Sequence, residues 1–426
     1  MYSYASARIC LLSFFFYPIY PGGGTRYPFM FGESLTRNGH QVIVVTTFPQ
    51  NSNRKFITGY RHRFVYKERI GNIELIRVWT PPFQHSGLIR RLLLYLCFMF
   101  SSLIGIFFTG KIDAILGISP EPPFLLIPGF LYGKIKKAPY ILTLGDLWPD
   151  SLIDLNIIKS QFFIKLIKIV SRISYIISDH IIVITSSIKK GLLKYGINNK
   201  KVSIIELCVD TTLFRPHSKN ENLSNGIFRN KFIVMYSGIF GPAYDFDTLL
   251  NAAKLLEPFP EICFIIRGDG ERRKEIMFKI SRLTLRNVRV LDIVSEISSV
   301  IEYLNLADIF ILPMKDVKVS ETAHPSKVLE FLACGRPVVC STKGELADLI
   351  HSSKSGLVVE PNNPQALAEA ILDLYQNDEE RMAMGRNGRN YVLLYFSYDI
   401  FGCKLKETLK KVTTQKRSRS KLCACA

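Results

Sequence analysis

"IFILPMKDVKVSETAHPSKVLEFLACGRPVVCST", from Ile309 to Thr342, holds two apolar runs of strand length with a helical pattern between them. "IFILP" and "PVVCST" show little alternation, as strands covered on both faces do. "SKVLEFLAC" carries its apolar residues at helical spacing. A strand, a helix and a second strand in this order describe one crossover unit of a parallel sheet. The same stretch raises a chemical question. Lys327 falls in the first helical turn, where the helix dipole disfavours a cation, and a bound anion would offset that penalty. Glu330 lies three residues on, so both side chains share one face. A carboxylate can accept both hydrogen bonds of a ribose diol, and a lysine can neutralise a diphosphate. On spacing alone an ordinary i, i+3 surface ion pair is the readier explanation. Pro325 rigidifies the approach to the helix, and Ser326 is the expected N-cap.

Outward from this stretch the alternation continues. "FIVMYSG", "ICFIIRGDG", "VRVLDI" and "GLVVE" read as further strands of the second half, with "DTLLNAAKLL", "SVIEYLNLA" and "PQALAEAILDLYQN" as helices. The first half repeats the plan. "RICLLSFFF" is a strand, "GGGTR" a loop, "YPFMFGESLTRNGH" a helix ending at Gly39, and "QVIVVTT" a second strand; "IELIRVW", "DAILGIS", "YILTLGD" and "HIIVITS" continue the series. Polar, turn-rich "LFRPHSKNENLSNGIFRN" separates the halves. The expected architecture is α/β, with two doubly wound Rossmann-like domains facing a cleft. They span 1–212 and 231–395, with a linker at 213–230, a C-terminal helix at 396–412 packing back on the N-terminal domain, and a basic tail at 413–426. Ligands of such sheets bind beyond the carboxyl ends of the strands.

The 426 residues exceed one ordinary core, and 48 % hydrophobic with 21 % charged residues excludes disorder. The formal net charge of +19 calls for an anionic partner. Nine scattered cysteines give neither a disulfide framework nor zinc spacing, and reduced cytosolic thiols are expected. The end "KLCACA" fits a prenylation box only superficially. The apolar start runs into Pro18 and a glycine loop rather than a cleavage site, so a buried first strand is expected in place of a signal peptide. "LLLYLCFMFSSLIGIFFT", Leu92 to Thr109, lacks any charge. A span there would put strands of one sheet on opposite sides of a bilayer. The expectation near 90–110 is therefore a helix partly buried and partly lying on a membrane surface. "KSQFFIKLIKIVSRISYI" is a second basic, amphipathic helix, which a solvated face with Lys165, Lys168 and Arg172 outward would explain as well. Nucleic acid is not an expected partner, because no exposed aromatic stacking platform accompanies the basic residues.

Three further stretches carry candidate chemistry. "YPGGGTRY" opens a helix, and Gly22, Gly23 and Gly24 would let a ligand approach backbone N–H groups. It matches neither a dinucleotide fingerprint nor a P-loop, and a tight turn would explain it too. In "RGDGERRKE", Gly268, Asp269 and Gly270 make a turn that Arg267, Arg272 and Arg273 make basic, and a solvated turn is the plain alternative. In "GDLWPD", Asp146 and Trp148 follow a strand of the first half, where Asp146 could orient a hydroxyl or cap a helix.

Taken together, "FYPIYPGGGTR", "LTRNGHQVIVVTTFP", "GDLWPDS", "SDHIIVITSSIKKGL", "VDTTLF", "YSGIFG" with "DFDTLLNAAKLL", "GDGERR" and "PSKVLEFLACGRPVV" resemble glycosyltransferase family 4 of the GT-B fold. The resemblance is closest to the bacterial surface-polysaccharide, N-acetyl-fucosamine transferase-like subgroup. It covers nearly the whole chain, in order. It implies an enzyme that retains anomeric configuration, with a nucleotide-sugar donor in the C-terminal half and an acceptor against the N-terminal half. No metal or other cofactor is implied. On that pattern Glu330 holds the donor ribose, Lys327 lies by the diphosphate, and Ser326 and Pro325 belong to the donor side. Gly238, Arg267, Gly268, Asp269 and Thr322 complete the donor side, with Gly23 and Gly24 approaching from across the cleft. Asp146, Lys327 and Glu321 are the expected catalytic residues, and Arg26, Asp146 and Trp148 the acceptor contacts. The expected partners are a uridine diphosphate sugar, a polyprenyl-diphosphate-linked saccharide and an anionic membrane surface on the cytoplasmic side of the inner membrane.

This sequence departs from the family pattern in three places. Thr322 stands where the first of two glutamates is usual, with Glu321 one position earlier; "SGIFGPAYDFD" has no basic residue; and "IELCVD" replaces a Pro-Asn-Gly turn. Lys327, Arg267 and Arg26 would then supply more of the charge. A nucleotide-sugar epimerase of the same fold and a catalytically silent assembly scaffold are the alternatives.

Overall fold

A computed structural model of the protein describes residues 6–17, 23–49, 60, 63–81, 88–119, 122–219, 228–294, 296–322 and 324–425. Gly22 and most of the polar stretch between the halves, 220–227, lie outside the described residues. The chain divides into two compact units, Met1–Leu207 with Tyr398–Ala426, and Cys208–Ser397.

The first unit is built on an eight-stranded sheet: β1 (Arg8–Leu12), β2 (Gln41–Thr47), β3 (Val65–Ile70), β4 (Ile73–Val78), β5 (Ala114–Ser119), β6 (Tyr140–Leu144), β7 (His180–Val183) and β8 (Val202–Ile204). Their order is β3-β4-β2-β1-β5-β6-β7-β8. Only β3 runs antiparallel, paired with β4. β3 lies at the edge and reads "VYKERI", half exposed, so it lacks the apolar run that marks the buried strands. The helix Gly23–Arg37 follows β1 and starts four residues before the expected "YPFMFG". Gly23 and Gly24 are therefore its first turn rather than part of a loop.

The helix Tyr398–Cys425 returns to this unit. Phe401 packs edge-on against Phe31, with ring centroids 4.9 Å apart, and Arg37 lies over the Tyr398 ring at 4.9 Å. Farther along, Lys416 Nζ donates to Asp179 and to the Ala138 carbonyl, both at 2.8 Å. The stretch expected as a tail from 413 thus continues the helix.

The second unit has a six-stranded, wholly parallel sheet: β9 (Phe232–Ser237), β10 (Ile262–Arg267), β11 (Val288–Leu291), β12 (Ile309–Pro313), β13 (Val338–Ser341) and β14 (Gly356–Val359). The order is β11-β10-β9-β12-β13-β14, which reverses direction between β9 and β12. That reversal is the switch point at which doubly wound sheets take ligands. The start of the expected linker belongs to this unit. Arg389 donates to the carbonyls of Phe214 (2.6 Å) and Thr211 (3.0 Å), and Lys219 pairs with Asp308 at 2.7 Å. These bonds tie down backbone that polarity alone made look free.

Candidate functional site

At the switch point of the second unit, the loop after β9 meets the helix Ser326–Ala333. Val328, Leu329, Phe331 and Leu332 are buried, and Phe331 stacks on Phe310 of β12 at 3.9 Å with the rings 5° from parallel. This packing sets the rotation of the helix and turns Lys327 toward the loop. Pro325, not Ser326, is the N-cap residue, and no side chain caps the helix. A proline has no side-chain acceptor to offer, so the first-turn N–H groups receive no such partner.

Lys327 is half-buried, and its ammonium lies against two rings. Nζ donates to the Tyr236 hydroxyl at 2.9 Å and sits 4.4 Å from the Tyr236 ring centroid and 4.0 Å from that of Tyr244. Among the described residues it forms no ion pair, so the surface pair with Glu330 is set aside. Desolvation lowers its pKa to about 7, against the opposing pull of Glu330. Gly238 is required here. Its φ is +149°, and a Cβ would run into Lys327 Nζ. At Gly268 a Cβ would strike the Gly238 carbonyl oxygen, so the two turns interlock through their glycines.

The basic turn after β10 serves the fold. Arg267 is buried, donates to Ser237 Oγ at 2.9 Å and lies over the Tyr303 ring at 5.3 Å. Arg272 pairs with Glu275 at 2.8 Å and donates to the Tyr244 carbonyl. Arg273 pairs with Asp292 at 2.6 Å and donates to the Gly268 carbonyl at 3.0 Å. Asp269 accepts from the N–H of Gly270 at 2.9 Å, closing the turn. Arg267, expected to supply charge on the donor side, is turned inward.

Glu330 is half-buried on the face it shares with Lys327. Glu321 is exposed on a short helix, Lys318–Thr322, which the sequence reading did not include. Its backbone packs against Gly344, and the Thr322 hydroxyl donates to the Val319 carbonyl at 3.0 Å. His324 is buried with its ring 5.9 Å from that of Phe396.

In the first unit, Asp146 follows β6 and makes no hydrogen bond or ion pair among the described residues. It caps no helix: the next one, Asp150–Asp154, has Pro149 at its N-cap, so that reading is set aside. Desolvation raises its pKa, and water reaching the exposed residue limits the rise. Tyr27, 9 % exposed, places its hydroxyl near Thr143 and close enough to Asp146 for that charge to raise the phenol pKa further. Arg26 precedes Tyr27 in the same helix and is half-buried. Trp148 is half-buried too, and its carbonyl accepts from the Tyr175 hydroxyl at 2.9 Å. Tyr27, Tyr236 and Tyr244 were absent from the sequence reading. The one signal for Tyr244 was a loop whose expected cations are missing and which is aromatic instead.

The first unit also carries an apolar face. On the helix Leu88–Phe107, Phe100 is 69 % and Phe107 65 % exposed, in line with Leu92 and Leu96. On the helix Gln161–Ile177, Phe162 (72 % exposed), Leu166, Ile169, Ile173 and Ile176 form a stripe, with Lys165, Lys168 and Arg172 exposed beside it. Both helices pack against the turn Pro123–Leu126. A solvated basic face therefore does not fully describe the second helix, because an apolar stripe also faces out. Among the described residues, no helix is long and apolar enough to cross a membrane. None of the described His, Cys, Asp and Glu side chains gather in the groups of three a metal site would need.

Comparison with known proteins agrees with this division. Residues 21–213 match the model described as Glycosyltransferase Family 4, and residues 218–391 that described as Glycosyl transferases group 1. An uncharacterised glycosyltransferase of Methanocaldococcus jannaschii is 27 % identical over 263 residues, 62 % of this chain and 66 % of the relative, just short of two thirds of its length. Sucrose-phosphate synthase from Thermosynechococcus elongatus shares the fold over 96 % of this chain and 100 % of its own, with a TM-score of 0.75 and 18 % identity. Anabaena HepE in complex with UDP-glucose does so over 95 % and 100 %, with a TM-score of 0.68 and 16 % identity. The two models between them match most of the chain, each less than half of it, and the chain follows the two-domain GT-B fold of these structures over nearly its whole length: it resembles the glycosyltransferases of family 4.

Proposed function

We propose that the chain moves a sugar, an N-acetylated or deoxy hexose, from a uridine diphosphate donor to a polyprenyl-diphosphate-linked saccharide in surface-polysaccharide synthesis, with retention of configuration. The observation that carries the donor reading is Lys327. Its ammonium lies at the switch point, beside a helix N-terminus without a side-chain cap, and has no carboxylate partner among the described residues. Breaking the sugar–phosphate bond puts negative charge on the leaving diphosphate, and a fixed cation with N–H groups lowers that barrier. The leaving phosphate oxygen takes the acceptor's proton, so no protein nucleophile is needed. Glu330 takes the ribose hydroxyls, and Asp146, with no structural hydrogen bond to maintain, orients a substrate hydroxyl. The bound UDP-glucose of the HepE structure supports the choice of uridine.

The lipid-linked acceptor and an anionic membrane on the cytoplasmic face are supported by the exposed Phe100, Phe107 and Phe162 stripes and their basic neighbours. No metal is assigned to the diphosphate. A thermal-shift panel of nucleoside diphosphates and nucleotide sugars, followed by transfer assays to polyprenyl-diphosphate saccharides, tests the proposal. Stabilisation by a uridine diphosphate sugar, lost in Lys327→Ala and Glu330→Gln, is expected. No stabilisation by any nucleotide would overturn it.

A further inference from the structure

The second unit gathers four aromatic rings where its loop lacks cations. Tyr236, next to last in β9, lies 5.4 Å from Tyr244 and 5.1 Å from Phe246, with Phe240 5.4 Å from Phe246. Every hydrogen-bonding position of the Tyr236 hydroxyl that matters here is committed. It donates to the Ile239 carbonyl at 2.6 Å, which leaves its lone pairs to accept from Lys327 Nζ at 2.9 Å. Tyr244 is fixed through the backbone around it. The Asp245 N–H donates to the Pro313 carbonyl at 2.7 Å, the Lys315 N–H to the Ala243 carbonyl at 3.0 Å, and Arg272 to the Tyr244 carbonyl itself.

The charged groups around this cluster already have partners of their own. The Asp245 carboxylate accepts from Asp247 and Thr248, and Arg272 pairs with Glu275. Glu330, one turn along the helix, is the remaining charge that acts on Lys327.

We infer that Tyr236 and Tyr244 are positioning residues, an aromatic cradle that holds Lys327 Nζ over the turn after β9 so that its charge meets the donor diphosphate. A carboxylate in that place would neutralise the ammonium and would have to be displaced by the ligand. The negative face of a ring holds a cation without neutralising it. Gly238 makes the cradle possible, since any side chain there would occupy the space of the ammonium. The inference rests on the donor reading for its purpose but not for its geometry.

The test compares Tyr244→Phe, which keeps the ring, Tyr244→Leu, which removes it, and Tyr236→Phe, which keeps the ring and removes the hydroxyl. The pH dependence of Lys327 acylation, followed by mass spectrometry without nucleotide, reports the ammonium directly. Tyr244→Phe is expected to keep the wild-type midpoint, and Tyr244→Leu to lower it by about 0.4–1.5 pH units, the range of a cation–π contact. In titrations with UDP and with uridine, Tyr244→Leu is expected to lose about 2- to 30-fold in UDP affinity and none in uridine affinity. Tyr236→Phe is expected to weaken UDP binding through the lost acceptor while uridine again stays level. Unchanged or raised midpoints in Tyr244→Leu, or equal losses for UDP and uridine, would overturn the cradle. Failure of the wild type to bind UDP would overturn the donor reading alone, because the acylation profiles still decide the cradle.

Discussion

Replacing Lys327 by Met should make the protein more stable and at the same time unable to hold a diphosphate. Desolvation brings the lysine from 10.5 to about 7 in the folded chain. At 1.36 kcal/mol per pKa unit that difference sets a ceiling of ~5 kcal/mol. The residue is only half-buried, so solvent screening reduces the expected penalty to ~1–3 kcal/mol. The sign follows from proton linkage. A base whose pKa falls on folding destabilises the fold fully below about pH 7, progressively less from there to 10.5, and not at all above. Methionine keeps most of the aliphatic packing and removes the charge. At pH 6 Lys327→Met should therefore melt about 2–12 °C higher than the wild type, taking ~2–4 °C per kcal/mol for a unit of this size. The gap should narrow steadily between pH 7 and pH 10. Differential scanning calorimetry of both proteins across that range measures it, and the subtraction cancels groups common to the two. A variant no more stable at pH 6, or a gap independent of pH, would refute the desolvated-lysine account.

Other perturbations reach the remaining parts of the site. Gly238→Ala puts a Cβ where the Lys327 ammonium lies; UDP affinity should fall at least about tenfold, with ~1–3 kcal/mol lost in urea unfolding from the backbone strain. Asp146→Asn should lower kcat by about 10²-fold or more while leaving the donor KM within about threefold, as expected for a group acting on the reacting hydroxyls; a change in KM alone would contradict the assignment. Phe162→Ser with Ile169→Ser interrupts the exposed stripe. Sedimentation with vesicles containing anionic lipid should then fall at least about tenfold, while UDP affinity stays level.

Much of the fold was legible because the two sheets are buried. Strands such as "QVIVVTT" and "IFILP" are covered on both faces over nearly their whole length, so their runs are mainly apolar and their limits were nearly those observed. β3 was missed for the converse reason: its edge position lets three successive charged residues, Lys67, Glu68 and Arg69, replace the apolar run. Polarity makes the stretch from Leu213 look like a linker, yet Arg389, more than 170 positions away, ties its start into the second unit. The candidate site divides in the same way. Lys327 could be singled out because a cation in a first helical turn runs against the helix dipole. What surrounds it could not, since the contact with Tyr236 spans 91 positions and is made only by the β9–β12 reversal. The turn at Arg267 misled because clustered arginines look alike whether they face solvent or, as here, bond to carbonyls and Ser237.

Isothermal titration of UDP at pH 8, repeated in buffers of different ionisation enthalpy, tests the central claim most directly. Because desolvation lowers the Lys327 pKa in the free protein, a diphosphate that meets its ammonium raises that pKa again and draws in protons on binding. The wild type should take up a measurable fraction of a proton, and Lys327→Met none while binding ~10–100-fold more weakly. UDP binding without proton uptake, or with the same uptake in both proteins, would contradict the account.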